Sequence, residues 1–171
     1  MVSFKSLTPA DAALLAEIGR VSLLESHGHS SPQEVMHAYV NKNFSKDACS
    51  FELANLSNIF FAVYYNNQPA GYSKIIYNTL HPAISLVPVT KLERLYLLKE
   101  FYNLKLGHLM LQQAIENSKS AGDKGMWLEV WKGNERAVCF YQKQGFQTVS
   151  ETHFRLTTTH ANPAWVMMVE Y

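Results

Sequence analysis

The most constraining feature of the sequence is a short apolar segment joined directly to a capped helix. Residues Gly125–Trp131 are almost continuously apolar, which is typical of a strand buried on both faces in a parallel pairing. Asn134 is a residue type favoured at helix N-caps, and a helix is predicted over Asn134–Gln144. Gly145 fits the left-handed position that ends such a helix. A strand followed so closely by a helix predicts a sheet with helices packed against it.

The rest of the chain predicts a mixed sheet flanked by helices. The patterns follow the order β-α-α-β-β-β-α-β-α-β-β, so antiparallel strands come first and a β-α-β-α unit follows. This order predicts a single α/β (or α+β) domain, residues 1–171, in which helices cover both faces of the sheet in three layers. The predicted strands are Val2–Leu7, Asn58–Tyr65, Ala70–Tyr77, Lys91–Leu98, Gly125–Trp131, Phe146–His153 and Ala164–Glu170. The predicted helices are Pro9–Leu24, Pro32–Phe44, Phe101–Ala121 and Asn134–Gln144.

Local signals define several of these boundaries. Thr8 is a hydroxyl N-cap followed by proline and, at the third position, an acid, and Ser31–Glu34 predicts a fuller capping box. The segment Asn66–Pro69 predicts a hairpin turn between two strands. The loop Glu25–Ser30 carries His27 and His29.

Charge and composition narrow the classes of function. Lys and Arg number 15 and Asp and Glu 14, a formal net charge of +1, so binding to nucleic acid or to an anionic membrane through a broad basic field is not expected. No apolar run approaches the roughly 18 residues of a membrane span, and the mixed N-terminal segment does not predict a signal peptide. Cys49 and Cys139 form no C-x-x-C pair, which favours a reducing cytoplasm. His27 and His29 lack a third ligand at a convincing spacing, so no metal site is expected.

The segment Trp127–Phe146 matches one motif in register, W-L-x-V-x-x-x-N-x-x-A-x-x-F-Y-x-K-x-G-F. The matching residues are Trp127, Leu128, Val130, Asn134, Ala137, Phe140, Tyr141, Lys143, Gly145 and Phe146. On these residues the chain resembles the GNAT superfamily of acyl-CoA-dependent N-acetyltransferases. The element order also matches the family core, so the resemblance covers most of the chain. Gly71–Lys74, Glu93–Leu97 and the ending Trp165–Glu170 look like the bacterial polyamine-acetyltransferase branch.

The resemblance implies that acetyl-CoA binds between two strands that splay apart, Leu92–Leu98 and Met126–Trp131. In the family, the backbone at the positions matched by Leu95 and Leu97 pairs with the pantetheine arm, much as an added strand would. The N–H of Leu97 is placed to hold the thioester oxygen as it becomes an oxyanion. The residue matched by Asn134 contacts the arm as well as capping its helix.

The phosphate-binding segment departs from the family pattern. The family has Gln/Arg-x-x-Gly-x-Gly/Ala where this chain has Tyr102-Asn103-Leu104-Lys105-Leu106-Gly107-His108. The open N–H groups of a helix N-terminus bind pyrophosphate, and glycines permit close approach and left-handed dihedrals. Lys105 either keeps a right-handed backbone, which leaves the amides aimed at the phosphates, or takes a positive φ, which distorts the pocket. His108 either neutralises phosphate or faces water. The cofactor-binding residues expected here are Tyr102, Asn103, Lys105, Leu106, Gly107 and His108.

Tyr141 is the candidate general acid. The matching tyrosine of the family aims its phenol at the thioester sulfur. A phenol with a pKa near ~10 is protonated at neutral pH and can donate a proton to the departing thiolate. The alternative is a buried aromatic residue that packs beside Phe140.

The acceptor amine must lose a proton before it attacks, because an alkylammonium has a pKa of ~10.4. Glu93 is the first candidate base, since strand alternation places it on the face of Leu95 and Leu97. The alternative is a solvated charge that pairs with Arg94 or Lys91. His27 and His29 are either proton relays or exposed loop histidines.

These observations predict a cytoplasmic enzyme that transfers acetyl from acetyl-CoA directly to a primary amine, with a small amine or polyamine favoured. A protein N-terminus, a lysine or an amino sugar stays open as the acceptor. A C2 homodimer is possible because it is the commonest assembly. The alternative function is a CoA-binding or sensing module on the same fold, with weak catalysis or none.

Overall fold

The computed structural model describes all 171 residues, which form a seven-stranded sheet between two layers of helices. The strands are β1 (Val2–Ser6), β2 (Ile59–Tyr65), β3 (Gln68–Ile76), β4 (Thr90–Leu97), β5 (Gly125–Trp131), β6 (Gln147–Arg155) and β7 (Ala161–Glu170). The helices are α1 (Ala12–His27), α2 (Gln33–Asn43), α3 (Lys46–Ala54), α4 (Leu106–Ser120) and α5 (Glu135–Lys143). Short 3₁₀ turns cover Pro9–Asp11 and Lys99–Phe101.

The sheet order is β1-β2-β3-β4-β5-β7-β6. All neighbouring strands are antiparallel except β4 and β5. One apolar cluster packs α1, α2 and α3 on one face, and another packs α4 and α5 on the opposite face. The predicted three-layer mixed fold is confirmed.

Several predicted boundaries are confirmed by local geometry. Thr8 and Asp11 form a capping box, and Asn134 Oδ1 accepts the N–H of Ala137 at 3.2 Å. Gly145 adopts a φ of +89° after α5, where a left-handed residue closes the helix. The predicted hairpin turn between β2 and β3 is also present.

The predicted parallel pairing of the buried strand β5 is confirmed but short, and one predicted helix start is wrong. β5 is buried, but it pairs in parallel with β4 at only two positions and runs antiparallel to β7 along its whole length. The helix predicted from Phe101 begins at Leu106 instead. Asn103 and Lys105 have φ values of +66° and +59°, which are incompatible with a right-handed helix.

Three further differences lie in the helical layer beside α1. The predicted capping box at Ser31 is wrong, because the Ser31 hydroxyl donates to Asn162 Oδ1 at 3.3 Å and α2 begins at Gln33. Helix α3 was not predicted, although Ser45 caps it by accepting the N–H of Ala48. His27 lies in the last turn of α1 rather than in a loop.

Candidate active site

The sheet opens between β4 and β5. The two strands pair only near the start of β4, at Thr90 and Lys91. The register between β3 and β4 then shifts between Lys74 and Ile75, which leaves Glu93 as an extra residue in β4. Such a bulge bends its strand and increases the local twist. Beyond the bulge, β4 therefore diverges from β5 and leaves main-chain groups without a strand partner.

The direction of the β4 amides follows from the ladder with β3. The N–H of Leu98 donates to the carbonyl of Ala70 at 2.9 Å. Alternate residues of a strand direct their amides to opposite neighbours. The N–H groups of Leu95 and Leu97 consequently face the gap rather than β3. This arrangement fits an extended chain that carries amides, such as the predicted pantetheine arm.

A cavity of about 60 Å³ occupies the gap. Most of its lining is apolar and comes from β4, β5 and α5, including Leu95, Val130, Ala137 and Tyr141. We call it the gap cavity. It contains Glu93, Leu95 and Tyr141 of the predicted site, while Leu97, Asn134 and the segment Tyr102–His108 lie outside its lining.

Tyr141 both packs and lines the gap cavity. Its ring centroid lies 5.1 Å from that of Phe140 and 5.5 Å from that of Phe146. Burial, with a smaller contribution from Tyr96, raises the pKa of the Tyr141 phenol well above its usual value. The phenol therefore stays protonated at neutral pH and is a proton donor.

A second cavity, of about 80 Å³, lies on the α1–α2 side of the sheet. We call it the helix-side cavity. It shares five lining residues with the gap cavity, so the two meet at the opening in the sheet: His27, Glu93, Tyr96, Glu129 and Trp131. The predicted acetyl donor in the gap cavity and an amine acceptor in the helix-side cavity would meet beside these side chains. Of the five, Glu129 and Trp131 were not predicted as site residues, although they alternate along β5.

Glu93 faces the helix layer of α1–α3. Its Oε2 lies 2.5 Å from Lys74 Nζ, without hydrogen-bond geometry. Because the bulge reverses the alternation, Leu95 and Leu97 pack on the opposite, α4 face. The prediction that Glu93 shares their face is wrong, yet its side chain still reaches both cavities. Its cationic partner is Lys74 rather than the expected Arg94 or Lys91.

Lys74 belongs to a charged network anchored by Glu52 of α3. Glu52 accepts hydrogen bonds from Lys74 at 2.8 Å and from Arg94 at 2.9 Å. Burial alone would raise the pKa of Glu52, but Arg94 and Lys74 outweigh it and hold that pKa below its usual range. Burial likewise opposes the charge of Arg94, and Tyr72 and Glu52 reverse this and raise its pKa. The network holds Lys74, and through it Glu93, at the boundary of the cavities.

His27 closes one side of this boundary. Its ring centroid lies 5.7 Å from that of Tyr96 and 5.8 Å from that of Trp131, and Nδ1 lies 2.7 Å from Ser26 Oγ. Burial, assisted by repulsion from His29, lowers the pKa of His27 to about 4. The imidazole is therefore neutral at neutral pH. His29 is exposed, and its ring lies 5.3 Å from the same indole.

The predicted phosphate segment leads into α4. Lys105 takes the positive φ of +59°, which is the alternative expected to distort the pocket, and it thus adopts the left-handed conformation that glycine adopts most readily. The helix itself begins only at Leu106, so the left-handed residue precedes the helical amides instead of interrupting them. The first N–H groups of α4, at Leu106 and Gly107, have no helical partner. A Cβ added at Gly107 would meet no protein atom closer than 3.7 Å, so the fold does not itself require glycine there. An open helix N-terminus with a free face at Gly107 fits the approach of a phosphate.

The neighbouring residues of this segment are engaged by α5. His108 Nδ1 lies 2.8 Å from Gln144 Oε1, a contact that links α4 to the end of α5. Tyr102 lies under the guanidinium of Arg136, a residue not predicted to belong to the site. Neither contact tests the predicted binding roles of Tyr102 and His108, which stay predictions.

Comparison with known proteins identifies the family. The model of the "Acetyltransferase (GNAT) family" matches residues 21–146, which is most of the chain. The chain belongs to the GNAT family. The predicted family and the prediction of an acetyl-CoA-dependent N-acyltransferase are confirmed by this match.

Relatives of this GNAT protein include an uncharacterized N-acetyltransferase of Lactobacillus delbrueckii subsp. lactis, 26% identical over 91% of this chain and 90% of the relative. A spermidine N(1)-acetyltransferase of Thermoplasma acidophilum is 25% identical over 85% of this chain and 88% of its own length. Among solved structures, PaiA N-acetyltransferase from Thermoplasma acidophilum, in complex with coenzyme A, has a TM-score of 0.78 at 21% identity, covering 100% of this chain and 99% of its own. These likenesses support the GNAT fold.

No helix of this GNAT protein is both long and apolar enough to cross a membrane. No group of three or more His, Cys, Asp or Glu side chains is placed to hold a metal ion.

Proposed function

We propose that this GNAT acetyltransferase transfers the acetyl group of acetyl-CoA directly to a primary amine, with a small amine or polyamine as the favoured acceptor. The observation that carries the proposal is the opening between β4 and β5. The gap cavity brings a buried phenol, Tyr141, and a carboxylate, Glu93, to the same opening. These are the two proton-handling groups that direct aminolysis of a thioester requires.

The donor fits the gap along β4. The N–H groups of Leu95 and Leu97 face the opening and would bind the amide-bearing arm. The phosphates would lie at the N-terminus of α4, against the open amides of Leu106 and Gly107. Asn103 and Lys105, which precede α4, and Asn134, which caps α5, are proposed to contact the donor as well. When bound, acetyl-CoA supplies an activated acyl group and a thiolate leaving group.

The chain's own residues handle charge and protons during transfer. Glu93, directly or through water, accepts a proton from the ammonium and leaves a neutral amine whose nitrogen forms the new N–C bond. The Leu97 N–H stabilises the negative charge that develops on the carbonyl oxygen. The nitrogen carries a second surplus proton once the N–C bond has formed, and this proton passes to solvent as the amide forms. Tyr141 donates its proton to sulfur as the C–S bond breaks and is reprotonated from solvent, and Glu93 returns its proton to solvent. The balance is one ammonium and one thioester consumed, and one amide, one thiol and one proton released.

The helix-side cavity favours a cationic acceptor. It is lined by two carboxylates, Glu93 and Glu129, and by the rings of Tyr96, Trp131 and Phe154. Lys91 also lines it and lies 3.4 Å from Glu129 Oε2, so an acceptor ammonium would share Glu129 with this lysine. Carboxylates and aromatic faces both attract ammonium groups. One relative is named a spermidine N(1)-acetyltransferase, which agrees in chemistry with this lining.

His27 is proposed as a relay at the boundary of the cavities. With a pKa of about 4, it accepts hydrogen bonds from an ammonium or from water without carrying a stable positive charge at neutral pH. It would thus pass a proton toward solvent rather than store it.

Mass spectrometry of amines incubated with the protein and acetyl-CoA tests this function. We expect acetylated spermidine or another small amine, and loss of most product in Tyr141→Phe. Tyr64→Phe on β2 removes a phenol remote from both cavities and serves as the matched control. If the protein binds CoA but forms no product with polyamines, amino sugars, lysine or peptide N-termini, the proposed enzyme activity is wrong. The protein would then be a CoA-binding module.

Three broader expectations accompany the function. One continuous sheet built from strands along the whole chain supports a single domain, residues 1–171. The unpaired cysteines Cys49 and Cys139 are compatible with a reducing cytoplasm. A C2 homodimer stays a prediction that light scattering on the purified protein tests.

A further inference from the structure

Arg136 is a cation without an acidic partner. Its guanidinium carbon lies 3.6 Å from the ring centroid of Tyr102. Arg136 is exposed, and none of the ion pairs in the structure includes it. The stack joins the first turn of α5 to the segment that leads into α4.

The location of this cation is electrostatically unfavourable in the protein alone. Helix N-termini carry partial positive charge, so a guanidinium in the first turn of α5 is repelled by its own helix. The N-terminus of α4 follows Tyr102 closely in sequence and adds a second positive end. An anion bound between the two helix ends would relieve this repulsion, because it would interact favourably with the guanidinium and both dipoles.

Stacking on Tyr102 prepares the guanidinium for such an anion. A planar guanidinium that lies flat on a ring keeps the N–H groups of its edge free, and these match two oxygens of a phosphate. The ring also restricts a flexible side chain, which reduces the entropy lost when a ligand binds. Tyr102 occupies the position at which the family's phosphate-binding motif has Gln or Arg. In this chain the positive charge is instead carried by Arg136, on the adjacent helix α5.

We propose that Arg136, held by Tyr102, binds a phosphate group of the CoA donor. The inference rests on the proposed function, because it assigns a further residue to the donor site. It explains why the degenerate segment at Tyr102 is compatible with a CoA-dependent enzyme. Tyr102 acts here as a positioning residue, and Arg136 is the residue that touches the ligand.

The variant Arg136→Gln tests the proposal. By calorimetry, its affinity for CoA is expected to fall about tenfold, the size of a lost charge-assisted hydrogen bond. The ratio of kcat/KM for acetyl-CoA to that for S-acetylpantetheine, which has no phosphate, should fall by a similar factor. Lys119→Gln is the matched control, because Lys119 also lies over a tyrosine ring but at the opposite end of α4.

Tyr102→Leu should weaken CoA binding in the same direction, and the double variant with Arg136→Gln should lose little more than Arg136→Gln alone. Dephospho-CoA, which lacks the 3′-phosphate, shows which phosphate Arg136 binds. If Arg136→Gln also weakens the binding of dephospho-CoA, Arg136 binds the pyrophosphate. If the variant and the wild type bind dephospho-CoA equally, Arg136 binds the 3′-phosphate. Equal CoA affinity in wild type and Arg136→Gln, or an equal loss with S-acetylpantetheine, overturns the proposal. Failure of the wild-type protein to bind CoA would instead overturn the proposed function.

Discussion

The half-buried imidazole of His27 predicts a specific dependence of stability on pH. The folded state holds the pKa of His27 at about 4, against the usual value of 6.5. Above the higher value the imidazole is neutral in both states and contributes no pH dependence. Below it, the unfolded chain takes up a proton that the folded protein excludes, so the free energy of unfolding falls with pH until about pH 4.

The size of the effect follows from this difference in pKa. The full loss approaches about 3 kcal/mol near pH 4, and about 2 kcal/mol of it appears between about pH 7 and about pH 5. His27→Gln removes the titrating group and keeps a polar side chain of similar reach. The variant is expected to lose about 2 kcal/mol less than the wild type over the same pH interval.

Urea unfolding followed by far-UV circular dichroism at several pH values measures this difference. The comparison uses the change with pH, so a constant packing loss in His27→Gln does not affect it. His37→Gln, at an exposed position of α2, is the control for replacing a histidine by glutamine. If His27→Gln and the wild type lose equal stability on acidification, the pKa of His27 is not lowered in the folded protein. Its proposed role as a relay would then be wrong as well.

The remaining predictions concern donor and acceptor chemistry. Tyr141→Phe should lower kcat by about 10²–10⁴, the span of a general acid, while calorimetry shows CoA affinity retained; full turnover would assign Tyr141 to packing. Glu93→Gln should shift the pH–rate profile upward, and an unmoved profile would point to water or His27 as the base. Gly107→Val should weaken CoA binding by crowding the phosphates. Gly107→Ala is the milder test, because its Cβ would meet no protein atom within 3.7 Å; weaker CoA binding at unchanged thermal stability would show that the side chain contacts the ligand and does not disturb packing. Lys105→Gly should be about 1 kcal/mol more stable than Lys105→Ala, because only glycine adopts the left-handed conformation without strain; equal melting temperatures would contradict this.

Much of the fold could be predicted because its signals are local. The capping box at Thr8, the Asn134 cap and the Gly145 helix end each depend on dihedrals and hydrogen bonds within a few residues. Helix α3 was missed because its signal is weak: its cap, Ser45, follows directly on the end of α2. The start of α4 could not be predicted, because a left-handed backbone is rare for a lysine and no residue near Lys105 indicates it.

The sequence by itself determined the alternation of strands and helices, the β5–α5 unit and the presence of Tyr141 in a helix beside the sheet. Only the tertiary structure decided that Glu93 forms a bulge, turns away from Leu95 and pairs with Lys74. The same holds for the stack of Arg136 on Tyr102. Strand register and contacts between distant segments depend on pairing partners brought together by the whole fold, whereas caps and turns depend on neighbours along the chain.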